Sequence, residues 1–451
     1  MRCYNIVRGD LMKNYTAQQF HNSPCIRVTG CAPSCDILIG PGAIRDLPAA
    51  LERLGAGSAY VFADRNTYAA AGEYACEILR TAGADVNCYI FEDEALIPDE
   101  RSVGLAAMYF DPNCHIIVGV GSGVINDICK IVAALAGKPY VIVATAPSMD
   151  GYASATSSME RQGLKVSLSS KCPDVIIGDT EILANAPAKM LASGLGDMIA
   201  KYVSICEWRL SNLISGEFYS EEIAAMVRLA LKKCVKNLDG LLQREEAAVE
   251  SVFEGLLICG IAMSYAGCSR PASGCEHYIS HVLDMRAAQF NTPVETHGFQ
   301  CAMGTLQTVR LYEKLKSFTP DRERALNYAE SFSYANWCAQ LRMLLGSGAE
   351  TMITLEKREG KYDIGRHLSR LEIILANWDE ILQIIEEELP SVPILVELLD
   401  KLNAPKSIRD MGIEEALMPA ILGATRDIRD KYVLSRLLWD LGISPEEALQ
   451  K

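Results

Sequence analysis

The sequence predicts an α/β N-terminal domain with a Rossmann-like parallel sheet, followed by an all-α C-terminal domain. Three observations predict it. Short apolar runs without polar alternation, such as Ile116–Val120 and Tyr140–Ala144, recur between amphipathic stretches in the first part of the chain. Strands covered on both faces read this way, and such strands belong to parallel sheets. After about residue 185 these runs cease and helical periodicity dominates to the end. The chain has 451 residues, too many for one small core, so two large domains are expected.

The elements follow in order. Residues 1–35 read as a polar, irregular N-terminal extension. Residues 36–185 form the expected α/β dinucleotide-binding domain. Ile37–Ile39 is a short strand ending at Gly40-Pro41-Gly42, and 43–54 is a helix. Ser58–Ala63 is a strand closed by Asp64, 67–82 is helical, and Val86–Phe91 is the next strand. Ile116–Val120 runs through glycines into a helix ending near Ala136, and Tyr140–Ala144 follows. Hydroxyl-rich flanks around Arg161-Gln162-Gly163 read as a β-hairpin. Val175–Ile177 is the last strand. Residues 186–451 form the expected helical domain, with helices over 220–246, 250–268, 300–316, 321–345, 367–388 and 413–440. Pro390, Pro393, Pro405 and Pro419 punctuate its latter part.

Composition narrows the function. The chain is 49% hydrophobic and 22% charged, with a net charge of -14. That balance suits a globular protein and argues against nucleic acid as a partner. No long uncharged apolar run reaches membrane-spanning length, and the start lacks a signal peptide's apolar core. The sixteen cysteines are scattered without a C-x-x-C pair. Free buried thiols, Cys259 and Cys301 among them, in a reducing cytoplasm fit better than a disulfide framework. Cys25, Cys31 and Cys35 read as incidental, with a second metal site as the alternative.

The chemistry-bearing residues are few. Three of the six histidines fall in one window, His277, His281 and His297. His277 and His281 are four apart, which on a helix places both on one face. Upstream, Asp197 stands in G-L-G-D-M-I-A-K, read as a helix start. One carboxylate and two or three imidazoles make a catalytic metal site with an open position. Spacing alone leaves a core hydrogen-bond network or chance clustering open. Gly121-Ser122-Gly123 joins a buried strand to a helix that carries Asp127 and Lys130. Glycines let backbone approach a diphosphate, and helix-start amides hold an anion. The turn matches neither G-x-G-x-x-G nor a Walker loop, so a packing turn is the alternative. Thr145, Ser148 and Ser154 follow the next strand, where open α/β sheets bind ligands, and Asp150 can meet a substrate hydroxyl. Capping and turn chemistry explains the same residues equally well.

Together, G-S-G-V-I-N-D-I-C-K, T-A-P-S-M-D-G-Y-A-S, G-L-G-D-M-I-A-K, E-H-Y-I-S-H and T-H-G resemble the motifs of the sn-glycerol-1-phosphate dehydrogenase family. That family belongs with iron-dependent alcohol dehydrogenases, glycerol dehydrogenase and dehydroquinate synthase. The resemblance covers roughly residues 36 to 310, with Ser122 and Asn126 departing from the usual glycine and isoleucine. It implies a dehydroquinate synthase-like fold. It assigns Asp197, His277 and His297 to one divalent metal, zinc before nickel or iron, and His281 and Asp150 to the substrate. It assigns Gly121, Ser122, Gly123, Thr145, Ser148 and Ser154 to NAD(H) or NADP(H). Asp64, ending the second strand, is where an acid meets a ribose hydroxyl and mildly favours NAD(H). Lys201 stands where the alcohol-dehydrogenase branch carries a further histidine, and a cation there favours three ligands and can serve a phosphate; Lys165, Lys171 and Lys201 are the candidates for a substrate phosphate.

The expected reaction is reduction of a small phosphorylated triose, dihydroxyacetone phosphate, to sn-glycerol 1-phosphate. A homo-oligomer, a dimer or larger, is expected. The rivals are a glycerol or simple-alcohol dehydrogenase of the same group, a dehydroquinate synthase-like lyase, and a non-catalytic binding protein.

Overall fold

The computed structural model describes residues 35–450, apart from Glu94 and Gly163. The expected N-terminal extension, with Cys25 and Cys31, lies outside the described residues. All thirteen described cysteines are free.

The strands are β1 (Asp36–Gly40), β2 (Ser58–Asp64), β3 (Asp85–Phe91), β4 (Ile116–Gly121), β5 (Tyr140–Ala144), β6 (Thr156–Arg161), β7 (Leu164–Ser169) and β8 (Val175–Asp179). Six of them form one sheet in the order β1-β8-β5-β4-β2-β3, with every pair parallel. The uninterrupted apolar runs are its central strands: β4, β5 and β8 are buried at every residue. The chain steps outward from β2 to β3, then returns to place β4 on the other side of β2. This reversal puts the carboxyl ends of β2 and β4 at a topological switch point, where doubly wound sheets bind ligands. β6 and β7 form the antiparallel hairpin read from the sequence.

The chain divides into two compact units. The first runs through Met198 and also takes Glu222–Ser269; the second joins Ile199–Glu221 to Arg270–Lys451. In the first unit the helix Glu246–Ala266 packs on the sheet. Gly178 of β8 leaves the space that the Phe253 ring fills. This helix is long and apolar enough to cross a membrane, but 78% of its apolar window is buried within the protein. Its Glu254 is buried and ion-paired to Lys233 at 2.5 Å, which suits a core helix. Every described element of the second unit is helical.

Several sequence expectations are corrected. Asp197 is not at a helix start: its helix spans Ala188–Ile199, beginning directly after Pro187, so Asp197 lies in the last turn. The span 321–345 is two helices, Arg322–Glu330 and Tyr334–Leu345, because Asp321 and Ser333 each cap a fresh start by accepting a backbone amide. The spans 367–388 and 413–440 are likewise divided. Among the helices that apolar periodicity passed over are Glu100–Tyr109, capped by Asp99, and Cys275–Phe290, which carries two of the clustered histidines.

Candidate metal centre and nucleotide turn

His277 lies in the first turn of Cys275–Phe290, and His297 opens the helix His297–Leu315. Their rings meet edge to face with centroids 5.1 Å apart. Each ring is fixed through Nδ1. His277 Nδ1 lies 2.8 Å from Glu276 Oε1, and a buried carboxylate only accepts, so Nδ1 carries the proton. Ser280 donates to Gln300 Oε1 at 2.5 Å. Its oxygen therefore accepts from His297 Nδ1, 3.1 Å away. In both rings the proton on Nδ1 leaves Nε2 unprotonated, the form that can ligate a metal. Gln300 is itself held, since its amide donates to Asp284 at 3.0 Å.

Asp197 is fully buried, and its Oδ2 accepts the backbone N–H of Asp150 at 2.9 Å. In the second unit, His277, His297 and Cys301 each offer a ligand atom, and these atoms lie within 4.8 Å of one another. Of the three residues expected to hold the metal, His277 and His297 are thus brought together, and Asp197 belongs to the first unit. Cys301 is the one the sequence reading passed over as an ordinary buried thiol. The available signal was its position four residues after His297, on the same helix face. Its Sγ lies 3.6 Å from His297 Nε2. At zinc bond lengths of about 2.3 Å to sulfur and about 2.0 Å to nitrogen, tetrahedral S and N donors stand roughly 3.6 Å apart. Burial pushes the Cys301 thiol up, but His277 and His297 outweigh it and hold it below its ordinary value. Donor chemistry and spacing therefore fit a divalent ion. His281 is half-buried one turn past His277, its ring edge-on to Tyr278 at 6.2 Å, and is not part of this cluster.

A further buried carboxylate backs this arrangement. Glu207 accepts the amides of Cys275 and Leu434, each at 2.8 Å. Gly274 lies against both Glu207 and Glu276, leaving no room for a side chain. Burial first, and then the charge of Glu276, push the Glu207 carboxyl up from 4.5 to about 8. Between those values the unfolded chain has released this proton and the folded chain still holds it. Stability is therefore full below the lower value and falls as pH rises through the window. Each unit of separation is worth about 1.4 kcal/mol. Glu207→Gln is expected to flatten this slope in denaturant titrations run from about pH 5 to about pH 8. An unaltered slope refutes the assignment.

In the first unit, the helix Gly123–Ala136 has Ser122 at its N-cap with no side-chain cap bond, so its first amides are open to an anion. A cavity of about 920 Å3 is lined by Asp64, Ser122 and Thr145 of the expected cofactor residues, with Asn66, Arg45 and Asp179. Gly121, Gly123, Asp127, Ser148 and Ser154 do not line it. Gly121 is fixed by packing: a Cβ there meets Ile125 at 2.6 Å. Asp64 already accepts the Thr67 amide at 2.9 Å as a helix cap, and Asp179 accepts the amides of Gly42 and Ile44 at 3.2 Å. Ser154 is turned inward, bonded to the carbonyls of Gly151 and Thr156. Lys130 is fully buried and donates to Gly151, Ser154 and Thr156, bracing the segment that carries Asp150. Of the lysines considered for a phosphate, Lys171 pairs with Asp174 at 2.7 Å, and buried Lys201 donates to the Ala272 carbonyl at 3.2 Å.

The chain is similar to known proteins over most of its length. A family model described as iron-containing alcohol dehydrogenase matches residues 38–187. The chain is 32% identical over 318 residues to glycerol-1-phosphate dehydrogenase (NAD(P)+) of Bacillus velezensis, covering 67% of this chain and 81% of that protein. It is 36% identical over 280 residues to the protein of the same name from Methanothermobacter thermautotrophicus, covering 61% and 78%. The solved glycerol dehydrogenase of Schizosaccharomyces pombe matches with a TM-score of 0.53 at 19% identity, over 90% of this chain and 94% of that one. That likeness concerns the fold alone. The chain belongs to the glycerol-1-phosphate dehydrogenase family of NAD(P)-dependent oxidoreductases.

Proposed function

We propose that this chain reduces dihydroxyacetone phosphate to sn-glycerol 1-phosphate with NADH or NADPH, using one divalent metal ion. The observation that carries the reading is the cluster of His277, His297 and Cys301, with each imidazole held through Nδ1 so that Nε2 carries no proton; Asp197 is the carboxylate assigned to the same ion. A thiolate in the set favours zinc among the divalent metals.

A divalent ion held by these side chains supplies Lewis-acid polarisation of a carbonyl oxygen, and the reduced nicotinamide supplies the hydride. The chain's own residues do the rest. Glu276 and Ser280 fix the imidazole tautomers, and the Asp150 amide aims the Asp197 carboxylate. Ser122, Thr145 and the first amides of Gly123–Ala136 bind the cofactor diphosphate. Asp64 faces its adenosine ribose, where a carboxylate disfavours an added phosphate, so NAD(H) is preferred. His281 holds a proton on its ring for the product alcohol, and the Asp150 side chain orients the substrate.

The test is the absorbance of NADH mixed with the zinc-loaded protein and dihydroxyacetone phosphate, dihydroxyacetone or glycerol. Consumption with the phosphate ester alone is the expected result. Equal turnover of dihydroxyacetone supports instead a glycerol dehydrogenase of the same fold. No turnover with any of them sinks the proposal.

A further inference from the structure

The second unit contains a cavity whose walls do not match the charge of the chain. The protein carries a net -14, yet this cavity, of about 660 Å3, is lined by seven lysines and arginines against Glu217, Glu359 and Asp430. Two of the cations are locked from behind. Arg370 bonds Asp440 through two nitrogens at 2.7 and 2.8 Å, and Arg436 reaches Asp427 at 3.3 Å. The other five are Arg358, Lys361, Arg366, Arg426 and Lys431; Arg358 and Lys361 share Glu359 at 3.2 and 3.3 Å, and Arg426 Nε stands 3.7 Å from Asp427 Oδ2, beyond hydrogen-bond distance.

Counting Asp427 and Asp440 still leaves the wall positive. Glu217 is already committed to Arg270, whose Nε donates to both of its oxygens at 2.7 and 2.8 Å. Arg426 is the sharpest element. It is 8% exposed, and its guanidinium lies over the rings of Trp439 and Tyr362 at 4.7 and 5.4 Å. Its Nε has no hydrogen-bond partner among the described residues. A buried guanidinium N–H left unmatched is costly, and a bound oxyanion is the group that satisfies it while also neutralising the wall. Aromatic backing and the Asp440 and Asp427 anchors keep the donors in place before any ligand arrives, which lowers the ordering cost of binding. The volume suits a small phosphorylated molecule.

We propose that this cavity is an oxyanion site that takes a phosphate monoester or a diphosphate. The source of the phosphate is either the substrate itself or a separate small anion. Lys431 reaches toward the metal helix, with its Nζ donating to the Ser273 carbonyl at 3.2 Å and lying 5.8 Å from the Tyr278 ring.

The probe is inorganic pyrophosphate, titrated calorimetrically into the full-length protein already saturated with zinc and NADH, so that the nucleotide turn is filled. Saturable binding that weakens with added salt is expected. Arg358 and Arg366 stand on the exposed rim, so Arg358→Ala with Arg366→Ala leaves the fold intact and is expected to weaken binding about tenfold or more. Arg426→Lys, which keeps the charge and removes the Nε fork, is the second variant and is also expected to weaken it. Absence of saturable binding to the wild type, or equal affinity in all three proteins, overturns the proposal. Michaelis constants then separate the two sources, both within the proposal. A rise for dihydroxyacetone phosphate but not for dihydroxyacetone assigns the site to the substrate's own phosphate. Unchanged constants beside lost pyrophosphate binding assign it to a separate anion.

Discussion

Replacing His277 with Ala is expected to remove the bound metal and lower turnover by about three orders of magnitude, since metal polarisation supplies several kcal/mol of transition-state stabilisation. The prediction is graded, and the grading tests the geometry. Glu276→Gln leaves the ligand in place and disturbs only its orientation, because Glu276 Oε1 holds His277 Nδ1 at 2.8 Å. Loss of such a partner is expected to cost about 10–100-fold in metal affinity. Cys301→Ser tests the fourth donor. In cobalt-substituted protein the wild type is expected to show a near-ultraviolet thiolate-to-cobalt band that the serine variant lacks. Metal content by elemental analysis and chelator competition read the series, alongside circular dichroism to check the fold. Full metal occupancy in His277→Ala removes the assignment. A cobalt spectrum unchanged by Cys301→Ser reduces the site to three protein donors.

The second large effect is structural. Gly194→Ala is expected to destabilise the protein by at least the upper end of the roughly 1–3 kcal/mol typical of overpacking. Gly194 lies in the helix that carries Asp197, and a methyl there would sit well inside contact distance of the Pro147 carbonyl oxygen. That neighbour is backbone, so no side chain can swing aside. The displaced segment holds Asp150, whose amide supports the Asp197 carboxylate, so metal affinity is expected to fall with stability. Gly104→Ala is the control. Gly104 is in a helix interior with nothing within 4 Å of its added Cβ, and the same change there is expected to be neutral or stabilising by about 0.5–1 kcal/mol. Denaturation midpoints of both variants decide it. Equal midpoints would mean that the helix and the Pro147 segment do not touch as described.

Much of the architecture was legible because burial on both faces writes itself into a strand. β4, β5 and β8 contain short apolar runs that read as covered strands, and each is buried throughout. The helical boundaries were less legible. Periodicity continues across a break when flanking turns share the same apolar face, so the caps at Asp321 and Ser333 went unread. The grouping of Glu222–Ser269 with the sheet-bearing unit was not readable either, since an apolar helix face does not name the surface it will cover.

The sequence by itself determined the donor types and their local spacing: a carboxylate at Asp197, imidazoles at His277, His281 and His297, and a glycine turn after β4. Side-chain chemistry and helix geometry are local properties, so a linear reading suffices for them. Only the tertiary structure decided which of these groups converge. It brought Cys301 into the set, kept His281 out of it, tied each Nδ1 to Glu276 or Ser280, and spent Ser154 and Lys130 on bracing a loop. It also assembled one basic cavity from two separate stretches, Arg358 to Arg370 and Arg426 to Arg436, in a chain that is acidic overall. Convergence depends on how distant segments pack, and long-range packing is the quantity that residue order encodes only through the fold.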